Sequence, residues 1–89
     1  MSIELQAQST PNPNAMKITA NQMIFEGSGS TSVKKGDDTH HPLAQKLIAI
    51  DGVDNIFGFQ DFVTVNKTAD VEWDNLLPLI QKAFEEVYE

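Results

Sequence analysis

His40 and His41 follow Asp37 and Asp38, and these four are the one place where metal-ligating side chains crowd together in the sequence. A bound ion needs several donors converging on one point, and adjacent side chains manage this only in a tailored loop or with further ligands at a spacing such as i, i+4 on a helix. The stretch therefore reads as a solvated loop ahead of a helix, with no metal and no cofactor expected. Asp51, Asp54 and Asp61 fall near predicted strand ends, where carboxylates sharing a cleft can divide acid and base roles, but nothing in their spacing brings them together. Ser28, Ser30 and Ser32 lack the strand–turn–helix setting that exposes a nucleophile. Gly27-Ser28-Gly29 lacks the lysine–serine or lysine–threonine pair of a phosphate loop. No catalytic residue is assigned, and the chain is not expected to be an enzyme.

A more informative group stands near the start, in the stretch TPNPNAMK, where Thr10, Asn12 and Asn14 alternate with Pro11 and Pro13. Each proline sets its own φ and restricts the residue before it, while Thr and Asn side chains bond nearby backbone. The expectation is a turn in the backbone whose polar side chains, held with little remaining freedom, serve partner recognition at reduced entropic cost. Gly58, between Phe57 and Phe59, would let another backbone approach closely, and Asp61 sits at a hairpin tip. Both join Thr10, Asn12 and Asn14 as candidate partner-binding residues.

The totals narrow the classes. Eighty-nine residues suffice for a single domain, 1–89, that buries roughly 60–65% of its unfolded surface. Thirteen acidic residues face six lysines and no arginine, a net charge of −7, which repels phosphate backbones and anionic lipid heads. Nucleic acid and membrane are excluded as expected partners, and a basic protein or peptide surface is favoured. With no cysteine in this sequence, thiolate ligation of zinc or of an iron–sulfur cluster by these residues is excluded. No basic leader followed by an apolar stretch opens the chain and no run reaches a membrane span, so a cytoplasmic monomer is expected.

The elements that must position these residues follow from periodicity. Ile3, Leu5 and Ala7 alternate with polar residues, as do Met16 and Ile18 after the Pro/Asn turn, and the two segments read as an antiparallel pair. Met23-Ile24-Phe25 would cap this layer. Residues 26–41 read as a mobile loop with a short edge strand near Ser32–Lys34, guarded by lysines. Pro42 opens a helix whose apolar stripe reaches Ile50 and which Asp51-Gly52 ends. Residues 53–59 and 62–67 form a hairpin across Gln60-Asp61, where a primed turn would favour glycine. Asp70 is the expected N-cap of a final amphipathic helix, anchored in the core by Trp73 and kinked or split at Pro78. Phe57, Phe59 and Phe62 are expected to pack on the sheet. The order β-β-(β)-α-β-β-α argues for an α+β fold, a two-layer domain with a mostly antiparallel sheet and two helices on one face.

Set side by side, TPNPNAMK, HPLAQKLIAIDGVDNIFGFQDFVTVNK and VEWDNLLPLI resemble the N-terminal domain of the Nfu family, the NifU-like iron–sulfur cluster scaffold proteins. The likeness covers nearly the whole chain, in the form of a stand-alone bacterial version without the C-terminal Cys-x-x-Cys domain. It implies an accessory module of iron–sulfur cluster assembly or delivery that recognises a carrier or recipient protein and is not itself a cluster scaffold. The alternative is a domain that binds a small ligand or modified peptide outside that pathway.

Overall fold

Val63 and Val65 are fully buried while Thr64 between them is not, the period of a strand with one face in the core. They belong to β5 (Phe62–Lys67), the central strand of a five-stranded sheet in a computed structural model that describes residues 3–25 and 29–88. Around it run β1 (Leu5–Ser9), β2 (Ala15–Ala20), β3 (Thr31–Lys34) and β4 (Val53–Phe59), in the spatial order β1-β2-β5-β4-β3 with every neighbour antiparallel. Ile18 and Gly58 flank Val63, and Met16 and Ile56 flank Val65, so these side chains share one face. Helices α1 (Pro42–Ile48) and α2 (Trp73–Tyr88) cover that face with Leu43, Ala44, Leu47 and Ile48 from one and Leu76, Ile80, Ala83 and Phe84 from the other. The domain is α+β in two layers, with both helices on one side.

Several local details depart from expectation. Helix α1 stops at Ile48, and Lys35 Nζ, reaching across from the end of β3, satisfies the freed carbonyl of Ile48 (2.7 Å) and that of Ile50 (2.8 Å). Gly52, at φ +98°, then turns the chain into β4. Asp70 does not cap α2: the helix begins at Trp73, and the Glu72 carbonyl accepts from the N–H groups of Asn75 and Leu76. Pro78 neither ends nor divides α2; it lies on the exposed side and leaves the Asp74 carbonyl without its helical donor. The short edge strand expected near Ser32–Lys34 is present as Thr31–Lys34, which pairs with β4, and Asp37 Oδ2 accepts from Lys34 N–H; residues 26–28 of the expected loop lie outside the described ones.

His41 caps α1. Its Nδ1 accepts from Ala44 N–H at 3.4 Å, which leaves the proton on Nε2 to donate to the Ile24 carbonyl at 3.0 Å, and its ring stacks on Phe25 with centroids 4.4 Å apart. One side chain thus ties the helix start to the segment after β2, and that role is structural. Changing His41 to Ala is expected to lower stability by about 1–2 kcal/mol, the cost of a lost cap, and chemical denaturation checks it.

The Gln60-Asp61 hairpin closes on Phe59 and Phe62 as expected, with Gln60 at φ +55° where glycine would be unstrained. The strain is held by docking: the Gln60 carbonyl accepts from the N–H groups of Ile24 and Phe25, and the Asp61 carbonyl accepts from Ala20 N–H.

Candidate functional site

The β1–β2 connection satisfies its own backbone. With Pro11 and Pro13 lacking N–H groups, the donors left between Thr10 and β2 are those of Asn12, Asn14 and Ala15. They go to Thr10 Oγ1 (3.2 Å), Asn12 Oδ1 (2.9 Å) and the Asn12 carbonyl (3.0 Å). The Thr10 hydroxyl in turn donates to the carbonyl of Asn12 (2.9 Å) or of Ala15 (3.1 Å). The turn is therefore closed from inside, and its rigidity follows from two fixed φ angles and three internal bonds.

Two other elements pin it. Trp73 Nε1 donates to the Pro13 carbonyl at 3.0 Å, and the Lys67 backbone N–H donates to the Asn14 carbonyl at 2.8 Å. Lys67 Nζ donates to Asn14 Oδ1 at 3.0 Å and to the Thr68 carbonyl at 3.3 Å, and lies 5.8 Å from the Trp73 ring centroid. Trp73 is only partly buried, so it is a clamp on the turn and not the core anchor its type suggested. Behind the turn, Asn66 Nδ2 donates to Asn55 Oδ1, whose own Nδ2 donates to Asp54 Oδ2, a polar row along the same end of the sheet. Asp70 completes the corner: the Thr68 hydroxyl, then its own backbone N–H and the Lys67 charge, hold its carboxyl below the usual aspartate range. What the corner offers outward is Pro11, Asn12 and Pro13, which are exposed, and the Nδ2 amides of Asn12 and Asn14, which bond nothing among the described residues.

Of the sequence candidates, Thr10, Asn12 and Asn14 are brought together here. Asp61 is not: it lies at the other end of the strands, since Ala15 pairs with Asn66 and Thr19 with Phe62, about 14 Å further along. It borders a hollow of about 420 Å³, open to solvent and lined by residues 20–23 and Gln60. Gly58 is filled from within the chain. A Cβ there would lie 2.2 Å from the Phe25 ring, so the close approach that this glycine permits is made by Phe25. Asp51 and Asp54 are at the opposite end of β4 from Asp61, and among the described residues no three His, Asp or Glu side chains are placed to hold a metal ion. Lys67 and Trp73 were not foreseen as part of the corner. Trp73 at the first position of α2 was the available signal, because an indole there can reach past the helix end.

The corner and the two-layer α+β domain that carries it belong to a known family. Residues 5–89 match the family described as scaffold protein Nfu/NifU N terminal, and the chain belongs to it. A NifU-like protein of Schizosaccharomyces pombe is 44% identical over 79 residues, 86% of this chain and 30% of that protein. Conserved virulence factor C of Staphylococcus aureus is 34% identical over 80 residues, 90% of this chain and 21% of that protein. The chain thus spans less than a third of these curated relatives. Among solved structures, the crystal structure of the Staphylococcus aureus protein SAV1430 superposes with a TM-score of 0.81 at 35% identity, covering 96% of this chain and 100% of that one. A NifU-like protein of Saccharomyces cerevisiae gives 0.83 at 30% identity, over 96% and 77% of the two chains. The family relation is to iron–sulfur cluster biology. Among the described residues no helix is long and apolar enough to cross a membrane.

Proposed function

We propose that the chain is a non-catalytic protein-interaction module in iron–sulfur cluster assembly or delivery, recognising a carrier or recipient and not itself holding a cluster. The absence of cysteine from this sequence leaves it no thiolate with which to ligate iron. The observation that carries the reading is the Pro-Asn corner. Its internal bonds, the Trp73 clamp and the Lys67 tie exceed what a chain reversal needs, and they leave the Asn12 and Asn14 amides as pre-set donors. Thr10 sets the turn from inside, and Asn12 and Asn14 meet the partner. Affinity capture on the immobilised chain tests the reading. Cluster carriers or cluster-containing enzymes should dominate the retained proteins, and their absence while unrelated proteins or small ligands are retained would overturn it.

A further inference from the structure

The sheet ends in β1 on one side and β3 on the other, and the fold treats these two edges differently. Lys35 N–H donates to the Asp54 carbonyl, so along that ladder Thr31 and Val33 bond β4, while Ser32 and Lys34 turn their backbone outward. Both Lys34 groups are taken: its N–H donates to Asp37 Oδ2 at 3.0 Å, and its carbonyl accepts from Asp37 N–H at 2.9 Å. Together with the Lys34 and Lys35 charges, these bonds blunt the β3 edge. On β1, Asn21 N–H donates to the Glu4 carbonyl at 3.0 Å. Gln6 and Gln8 therefore bond β2, while Leu5, Ala7 and Ser9 turn their N–H and C=O groups away from it. Among the described residues no strand lies on that side. β1 contains no charge and no proline, and its register with β2 is unbroken from the Leu5 and Ala20 pair to that of Ser9 and Met16. The devices that close an edge are missing from it.

Beside this edge there is room for a side chain. Ala7 lies opposite the buried Ile18, so Ala7 and Leu5 face the helix layer, yet Ala7 is exposed. Leu5, Ala7 and Ile18, with Leu77, Ile80 and Gln81 of α2, line a hollow of about 130 Å³, near the roughly 150 Å³ of a cavity that holds benzene. Directly opposite residues of paired strands point to the same face, about 5 Å apart, so a residue paired with Ala7 would place its side chain over this hollow. Glu4, just before β1, falls on the other face of the sheet. At its far end β1 runs straight into the Pro-Asn corner, with Thr10 following Ser9.

We infer that β1 is a strand-addition site, and that its occupant is an extended segment of the partner protein with a branched or aromatic apolar residue opposite Ala7. The free N–H and C=O groups of Leu5, Ala7 and Ser9 select extended backbone, which presents the matching row of acceptors and donors. The hollow selects the side chain. Continuity with the corner brings the end of the added strand beside Asn12, so one segment engages both. A second copy of the chain is the poorer occupant, since each copy carries a net charge of −7 and repels its like. The inference rests on the interaction-module reading and adds to it the conformation of the partner segment and one of its side chains.

A random twelve-residue peptide library selected on the immobilised native chain tests it. Enriched peptides should carry branched or aromatic residues at alternate positions and no proline between them. Amide exchange at Leu5, Ala7 and Ser9 should slow about tenfold or more when such a peptide binds, while Gln6 and Gln8, already bonded to β2, change little. N-methylation of one alternate set of peptide amides should weaken binding about tenfold or more, and N-methylation of the other set should not. Ala7→Pro removes one outward N–H and leaves the β2 ladder intact, so it should weaken binding likewise. The N-methylated peptides read the same bonds on the native chain should that variant fail to fold. No enrichment, equal sensitivity to both N-methylated sets, or unchanged exchange at Leu5, Ala7 and Ser9 overturns the proposal. Capture of cluster carriers by the native chain is a separate measurement, so the interaction reading stands or falls on its own. A dimer that Ala7→Pro dissociates would assign the edge to a second copy and also overturns the proposal.

Discussion

Replacing Phe25 with Ala is expected to lower the unfolding free energy by about 3–5 kcal/mol, a large share of the roughly 5–15 kcal/mol that stabilises a domain. The ring is 2% exposed, stacks on His41 and occupies the space that a side chain at position 58 would need. Truncation loses the transfer free energy of the ring and leaves a cavity between β4 and the start of α1. The same geometry predicts the partner result: Gly58→Ala should itself cost about 1–3 kcal/mol by forcing the ring outward. With Phe25 already Ala, the new methyl has room, so the double variant should be more stable than the sum of the two losses implies. Urea denaturation of the four chains of the cycle measures this coupling. Additive losses would mean that Phe25 and Gly58 do not share the space described.

Trp73→Ala is expected to cost about 2–3 kcal/mol, less than the 3–5 kcal/mol of a fully buried aromatic, because the indole is only partly covered. The loss has three parts: partial apolar packing against the core cluster, the Nε1–H bond to the Pro13 carbonyl, and a weak contact with Lys67. Trp73→Phe separates them, since it keeps most of the packing and removes the donor, and should cost about 1 kcal/mol. Amide hydrogen exchange supplies the spatial readout. Protection of the Asn12, Asn14 and Ala15 amides should fall in Trp73→Ala by more than that of Val63 and Val65 in the central strand. Uniform loss across the domain would return Trp73 to the core.

Much of this was legible before the structure, and the exceptions share one cause. The β4–β5 hairpin was readable because two apolar runs are separated by two residues, and α2 because Leu76, Ile80, Ala83 and Phe84 repeat at helical spacing. Both are local patterns. The role of Trp73 depends on where the β1–β2 turn lies, and that follows from β2 pairing with β5, a contact between residues about 50 positions apart that no local pattern carries. His41 was read beside Asp37, Asp38 and His40 because they are adjacent in sequence, whereas its ring turns away to Ile24 and Ala44. Gly58 was read as room for a partner because nothing in the sequence says that Phe25 returns to it. Within the candidate site, Thr10, Asn12 and Asn14 were legible from turn chemistry. Lys67 was not, since its partner Asn14 stands 53 residues away.

Whether the Pro-Asn corner recognises a partner is tested most directly by Asn12→Asp combined with Asn14→Asp. Each aspartate keeps an oxygen where Asn12 Oδ1 accepts from Asn14 N–H and where Asn14 Oδ1 accepts from Lys67 Nζ, and removes only the outward Nδ2 donors. Gln22→Glu, at the other end of the strands, serves as the control for added charge. The unfolding midpoint of the double variant should stay within about 0.5 kcal/mol of the parent, while retention of the cluster carrier captured by the native chain falls about tenfold or more. Full retention by a folded double variant would contradict a recognition role for the corner and leave it a turn pinned by Trp73 and Lys67.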